Sequence, residues 1–344
     1  MKNMARQAVA ALAVGTRLWP VVGTGRAVVL RYHRVAGTDA EPLPLAVTLR
    51  EFEGQLRFLR SHCQPTAARE IAQAVTEGQP LPPGAVAITF DDGYEDNFSV
   101  ALPLLKKHGM SATFFLTTGW IESERMLWWD RVHEHVRQAA REGIAPTGHE
   151  TLPQPVAAAL ASANLRSPAG PATLEHELVA ALRSLQLPPE GLDPLIERIA
   201  ECLGTDEPDP AQYRPMNWLQ VRLLRQSGMD IGSHTVSHAR LGSVPAERAH
   251  DELAESRKKL EKELGEKIDL LAYPAGDHNE DVTELAVEAG YEAAFTTETG
   301  PVRQGNDPFA LRRIGVWGGG YAGATGRFSA QVFGLQIGRL ARRP

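Results

Sequence analysis

His234 and His238 stand four residues apart in the segment Gly232-Ser-His-Thr-Val-Ser-His238. That spacing puts two imidazoles on one side of a helix, and its even parity suits an extended segment equally well. Both rings can therefore reach one ion. Thr235 occupies the position where a His-Glu-x-x-His motif carries its glutamate, so a base has to come from elsewhere. Asp91 and Asp92 can supply it. Adjacent carboxylates before a glycine are costly to crowd together unless a cation or a shared proton relieves them. One of the pair completes a set of two histidines and one carboxylate, which zinc accepts with a position left for water. The other is then free to take a proton from that water. A solvated Asp-Asp-Gly turn and bystander histidines are the plain alternatives, and ferrous iron uses the same donor set in oxygenases.

These residues follow directly on apolar runs. Strands are expected at 27–32, ending on Tyr32-His33, at 85–90, ending on Asp91-Asp92-Gly93-Tyr94, and at 112–117. Others are expected at 230–233, before His234, at 268–273, before Pro274, and at 293–297 and 310–316. Runs apolar on both faces belong to parallel sheets covered on both sides. Helices are expected between them. The one over 48–63 starts at Thr48 with Glu51 as the capping-box partner, and Phe52, Leu56 and Leu59 recur at helical spacing. Further helices fall at 97–108, closed by Gly109, and at 217–227, 245–264 and 282–289. Asp96 and Asn97 are read as the caps of the second. About seven strand–helix units result, a number that suits a barrel with its functional residues at the C-terminal ends of the strands. Residues 121–215 break the rhythm with helical stretches at 129–141, 174–185 and 194–203, and are read as a helical insertion. Trp120, Trp128 and Trp129 open it, either as a sugar-stacking wall or as anchors for the inserted helices.

The 344-residue chain is 43% hydrophobic and 23% charged, ordinary for a soluble domain with a sizeable core. Its 36 Lys and Arg against 42 Asp and Glu give no basic excess, so no nucleic-acid partner is expected. Cys63 and Cys202 form no metal or redox motif, and Gly23-Thr-Gly25 lacks the third glycine of a nucleotide fingerprint. Residues 8–22 are apolar behind Lys2 and Arg6, the outline of an export signal. Arg17 and Pro20 interrupt that outline, and it is too short to span a bilayer. The expected domains are therefore a helical segment over 1–26, a barrel over 27–330 with its insertion, and a basic, solvated tail over 331–344. A cytoplasmic location follows, with peripheral membrane contact through the first helix or the tail, export being the alternative.

Thr89-Phe90-Asp91-Asp92-Gly93-Tyr94 together with His234-Thr-Val-Ser-His238 resembles the polysaccharide deacetylases, carbohydrate esterase family 4, also called the NodB-homology family. The resemblance spans about 27–118 and 216–317. It implies an α/β fold, a distorted (β/α)7 barrel, and removal of N-acetyl groups from amino sugars of a polysaccharide or glycolipid. It further implies Asp91 as the catalytic base, Asp92, His234 and His238 as ligands of Zn2+ (Co2+ serving as a substitute), and the Tyr94 backbone N–H as a donor to the developing oxyanion. Two departures stand out. The family's Leu-x-His motif is absent, and its Arg-x-Pro motif reads Ala272-Tyr273-Pro274 here. Tyr32-His33 instead resembles the biofilm-exopolysaccharide branch, in which an early Tyr-His supplies the general acid, so that role is carried onto His33. Arg313, in Leu311-Arg-Arg-Ile314, is assigned from position alone as the arginine that orients Asp91. A carbohydrate-binding protein that keeps this fold without activity is the alternative from a different class.

Overall fold

The computed structural model describes residues 22–37, 45–325 and 327–342. The helix expected over 1–26 lies, up to residue 21, outside them. Seven parallel strands carry the fold: β1 (Arg26–Tyr32), β2 (Ala85–Phe90), β3 (Thr113–Leu116), β4 (Asp230–Ser233), β5 (Leu270–Ala272), β6 (Ala293–Phe295) and β7 (Ile314–Gly315). Neighbours pair in that order from β1 to β6. Leu311 then bridges Phe295 in parallel, and β7 returns to β1 through Leu30–Ile314 and Arg31–Gly315. The sheet thus curls back on itself as the distorted barrel expected, with each of the seven strands where its apolar run lies. Short pairings at Gln64–Pro65 and Val302–Arg303 extend it.

Strand alternation sorts the side chains into two sets. Val28, Leu30, Val86, Ile88, Phe90, Phe114, Leu116, Ile231, Leu271 and Ile314 face outward into a core shared with the helices. Ala27, Val29, Ala85, Ala87, Phe115, Leu270, Ala272, Ala293, Phe295 and Leu311 face inward. Small residues dominate the inner set because the rings of Phe115 and Phe295 fill the middle, 5.4 Å apart. Gly232 is required there: a Cβ at that position would lie 2.5 Å from Phe115 Cε1.

The covering helices begin with α1 (Leu49–His62), in which Thr48 and Glu51 form the expected capping box. α2 (Ala68–Thr76) was not expected, since Ala67 offers no capping side chain. It packs Ala68, Ile71, Ala72 and Val75 on the inward set, and Arg69 pairs with Asp269 and Asp230 at the start of β5 and β4. The N-terminal end of the barrel is thereby stoppered. α3 (Leu102–His108) follows a π-helical turn over Asn97–Ala101 and ends on left-handed Gly109.

Ser123–Arg214 forms a second compact unit. It contains α4 (Trp128–Glu142), α5 (Gln154–Ala161), α6 (Gly170–Ser184) and α7 (Pro189–Leu203), around a core that includes Val132, Val136, Leu160, Leu178, Ile196 and Leu203. The first unit resumes with α8 (Trp218–Gln226), α9 (Ala246–Leu264), α10 (Glu280–Glu288) and α11 (Ala330–Leu340). α11 corrects the solvated tail expected over 331–344. Ser329 caps it, and Val332, Phe333 and Ile337 are buried, with Phe333 edge-on to Phe58 of α1. Burial of that apolar face outweighs the basic character of the segment. No helix among the described residues is long and apolar enough to cross a membrane.

Candidate metal and acid–base site

The inward alternation of each strand continues past its C-terminal end. Thr89 leads to Asp91, Gly232 to His234 and Arg31 to His33, while Arg313 lies two residues after inward-facing Leu311 and just before β7, and its guanidinium meets Asp91. Asp92, His234 and His238 offer ligand atoms within 4.8 Å of one another, and no other such group of three occurs among the described residues. Asp92 Oδ1 lies 3.5 Å from His234 Nε2 and 3.6 Å from His238 Nε2. Ligands held about 2.0–2.2 Å from a tetrahedral zinc stand about 3.3–3.6 Å apart, the spacing that Asp92 keeps from each of the two imidazoles. His234 Nδ1 donates to the Ala272 carbonyl at 2.6 Å, which fixes the tautomer and leaves the Nε2 lone pair facing Asp92. Burial also lowers the pKa of His234, favouring the neutral ring that a metal needs.

The chain reaches this geometry through strain. Asp92 (φ 75°), Thr235 (φ 66°) and His238 (φ 61°) all take left-handed backbone, which costs on the order of 1–3 kcal/mol each. Backbone hydrogen bonds hold them there: Thr117 N–H donates to the Asp92 carbonyl at 3.1 Å, and Thr118 N–H to the Thr235 carbonyl at 3.0 Å. Glu252 of α9 accepts from the N–H groups of Val236 (2.9 Å) and Ser237 (2.8 Å) and from the Ser237 hydroxyl. Sequence reading missed Glu252. Its signal was a carboxylate on the buried face that α9 shares among Ala249, Leu253, Ser256 and Leu260.

Asp91, beside Asp92 in sequence, faces a different partner. Arg313 donates to both its oxygens, at 2.7 and 2.8 Å, and is itself held by the Thr296 carbonyl and Thr89 Oγ1. Both members of the pair are at most 2% exposed. Burial alone would push the Asp91 carboxyl up, but the charge of Arg313, that of His234 and the Arg313 hydrogen bonds outweigh it. The carboxyl is held well below the usual carboxylate range. The two carboxylates are thereby divided, one clamped by a guanidinium and one set between imidazoles.

His33 lies within electrostatic reach of Asp91, Arg313 and His234. Burial pushes its pKa down to about 3, against the pull of Asp91. The loop carrying it is fixed by residues expected to serve as helix caps. Asp96 makes no cap bond; its carboxylate accepts from Arg34 Nε (2.9 Å) and Val35 N–H (3.2 Å), and Asn97 Nδ2 donates to the His33 carbonyl at 2.8 Å. Arg34 in turn lies over the Tyr94 ring, 4.4 Å from its centroid. Tyr94 is buried, and its backbone bridges Pro215. The tryptophans at 120 and 129 present no open wall. Trp120 packs edge-on to Tyr94, and Trp129 is buried.

Known proteins similar to this chain are deacetylases. The family model "Polysaccharide deacetylase" matches residues 78–161 and 209–294. YxkH of Bacillus subtilis (strain 168), placed by its name among the polysaccharide deacetylases, is 24% identical over 301 residues, 87% of this chain and 75% of that one. The poly-β-1,6-N-acetyl-D-glucosamine N-deacetylase of Escherichia coli (strain K12) is 29% identical over 106 residues, which are 30% of this chain and only 15% of that protein. Among solved structures, the Streptococcus pyogenes deacetylase PplD, in complex with acetate, superposes with a TM-score of 0.58 at 19% identity, covering 91% of this chain and 98% of that one. At that identity the likeness speaks for the fold.

Proposed function

Because this chain belongs to the polysaccharide deacetylase family, we propose that it hydrolyses the N-acetyl groups of amino sugars in a polysaccharide or glycolipid. Asp91 is the base, His33 the acid, and Asp92, His234 and His238 hold a divalent cation, zinc or a substitute such as cobalt. The observation that carries this reading is the division of labour between neighbours: Arg313 clamps Asp91 while Asp92 faces the two imidazoles.

A cation in that position supplies Lewis-acid polarisation of the acetyl carbonyl and lowers the pKa of water. Asp91, kept ionised by Arg313, takes one proton as the water oxygen attacks the amide carbon. The Tyr94 N–H is assigned to the oxyanion that develops. The C–N bond then breaks, and the amine nitrogen gains a proton from His33, releasing acetate and a free amino sugar. In the free site the His33 ring is neutral, so it acts as an acid only after gaining a proton in the substrate-bound site. Asp91, the neighbour that raises its pKa, supports that step. The partial match to an N-deacetylase of poly-β-1,6-N-acetyl-D-glucosamine favours an exopolysaccharide as substrate.

The test is acetate release by purified, zinc-loaded protein from soluble and lipid-linked N-acetyl sugars. Release that depends on Asp91 and on the metal supports the reading. Glycan binding without any release would make the chain a carbohydrate-binding protein on this fold.

A further inference from the structure

We infer that Trp317 is a stacking platform for a pyranose ring of the glycan at the mouth of the barrel, an inference that rests on the deacetylase reading. Trp317 is 55% exposed, whereas Trp120, Trp129 and Trp218 are each under 10%. Tryptophan is strongly buried on average, so an indole held out in water calls for an explanation.

Its place in the strand pattern is the first argument. Ile314 and Val316 belong to the outward core, and Leu311 to the inward one. Alternation therefore puts Arg313, Gly315 and Trp317 on the inward side, the side of the acid–base pair. The register Arg31–Gly315, continued by the hydrogen bond from Val316 N–H to the Arg31 carbonyl, brings the segment that carries Trp317 alongside the one that carries His33. The second argument is that the indole is seated. A Cβ on residue 315 would lie 2.7 Å from Trp317 Cζ3 and 3.2 Å from Arg31 Nη2, so only glycine leaves room for the ring to fold back beside the guanidinium. The loop after it is tied down: Gly318 N–H donates to the Ala46 carbonyl (2.9 Å), and Gly319 N–H to Glu51 Oε1 (3.2 Å). An aromatic face held rigid loses little conformational freedom on binding.

A flat π-face with a guanidinium nearby matches a pyranose, which presents C–H groups on its face and hydroxyls around its rim. The neighbouring acid and base are the groups that act on a sugar's acetamide. This favours a sugar ring over an apolar protein segment as occupant. Trp317 binds and orients and takes no part in proton transfer.

The experiment compares Trp317→Ala and Trp317→Phe with wild type on N-acetylglucosamine oligomers and on 4-nitrophenyl acetate. For the alanine variant, KM on the oligomers is expected to rise about tenfold, the ratio of oligomer to ester turnover to fall with it, and phenylalanine to restore most of both. Titration calorimetry of metal-free protein with the same oligomers reads binding alone and should show the same order of affinity. Unchanged oligomer KM and affinity in Trp317→Ala would overturn the inference, as would an equal loss on ester and oligomer, the mark of a packing residue. Wild type that binds oligomers through Trp317 yet deacetylates none would sink the deacetylase reading and leave this inference standing.

Discussion

At the open end of the barrel, charged side chains turn inward and meet; in the helical unit over Ser123–Arg214, the ion pairs of Arg131 keep their carboxylates in contact with water. Asp91 and Arg313 form a bidentate pair with almost no exposure. Arg131 also engages two carboxylates, Asp193 at 2.9 Å and Glu207 at 2.9 Å, but those partners are 28% and 62% exposed. The chemistry of the pairs is alike and the surroundings are not. Low dielectric strengthens the buried pair and makes its separation costly, while water screens the exposed one. At its open end the barrel holds its ions dry and clamped. The helical unit carries them as ordinary surface stabilisation around a separate apolar core.

The largest effect that tests this contrast belongs to Asp91→Asn. General-base loss is expected to lower kcat about 10²–10⁴-fold, with bound zinc, measured by elemental analysis, retained. Near-normal acetate release would break the assignment. Next comes Arg313→Gln, which leaves Asp91 buried without its cation and should cost about 3–5 kcal/mol in chemical denaturation. Removing the positive charge also raises the Asp91 pKa, so the acid limb of kcat/KM should move to higher pH. A limb that stays put would show that Asp91 is not the titrating base.

Glu252→Gln probes the loop between the two histidines. Weakening its hold on Val236 and Ser237 should reduce zinc affinity about 10–100-fold, read by competition with a chelating dye. Within the helical unit, burial lowers the pKa of His135. The unfolded chain takes up a proton near pH 6.5 that the native ring refuses, so stability falls as pH drops through that value. His135→Gln should shrink the loss of Tm between pH 7.5 and 5.5, and an unchanged loss would discard the idea. The smallest effect is expected from Asp193→Asn: less than about 1 kcal/mol in stability, with kcat unaltered. A larger penalty would mean that the exposed pairs matter more than their solvation allows.

The strands and the residues of the candidate metal group were legible along the chain. The apolar run over 85–90 ends on Asp91-Asp92, and the short strand over 230–233 ends on His234, so local pattern was enough to place those three residues. The capping box at Thr48 and Glu51 was legible for the same reason. Which groups those residues meet is set by long-range packing. Arg313, given to Asp91 from its place in the chain alone, lies 222 residues away and donates to both carboxylate oxygens; Glu252 shares the buried face of its helix with Ala249 and Leu253, but the backbone it accepts from lies on another segment. Asp96 and Asn97 left their local capping role because a neighbouring loop offered buried backbone and a guanidinium to satisfy. α11 looked like a basic tail until Phe58 gave Phe333 a surface to cover. Spacing along the chain encodes which face a side chain takes; what waits on that face is set by burial and long-range pairing.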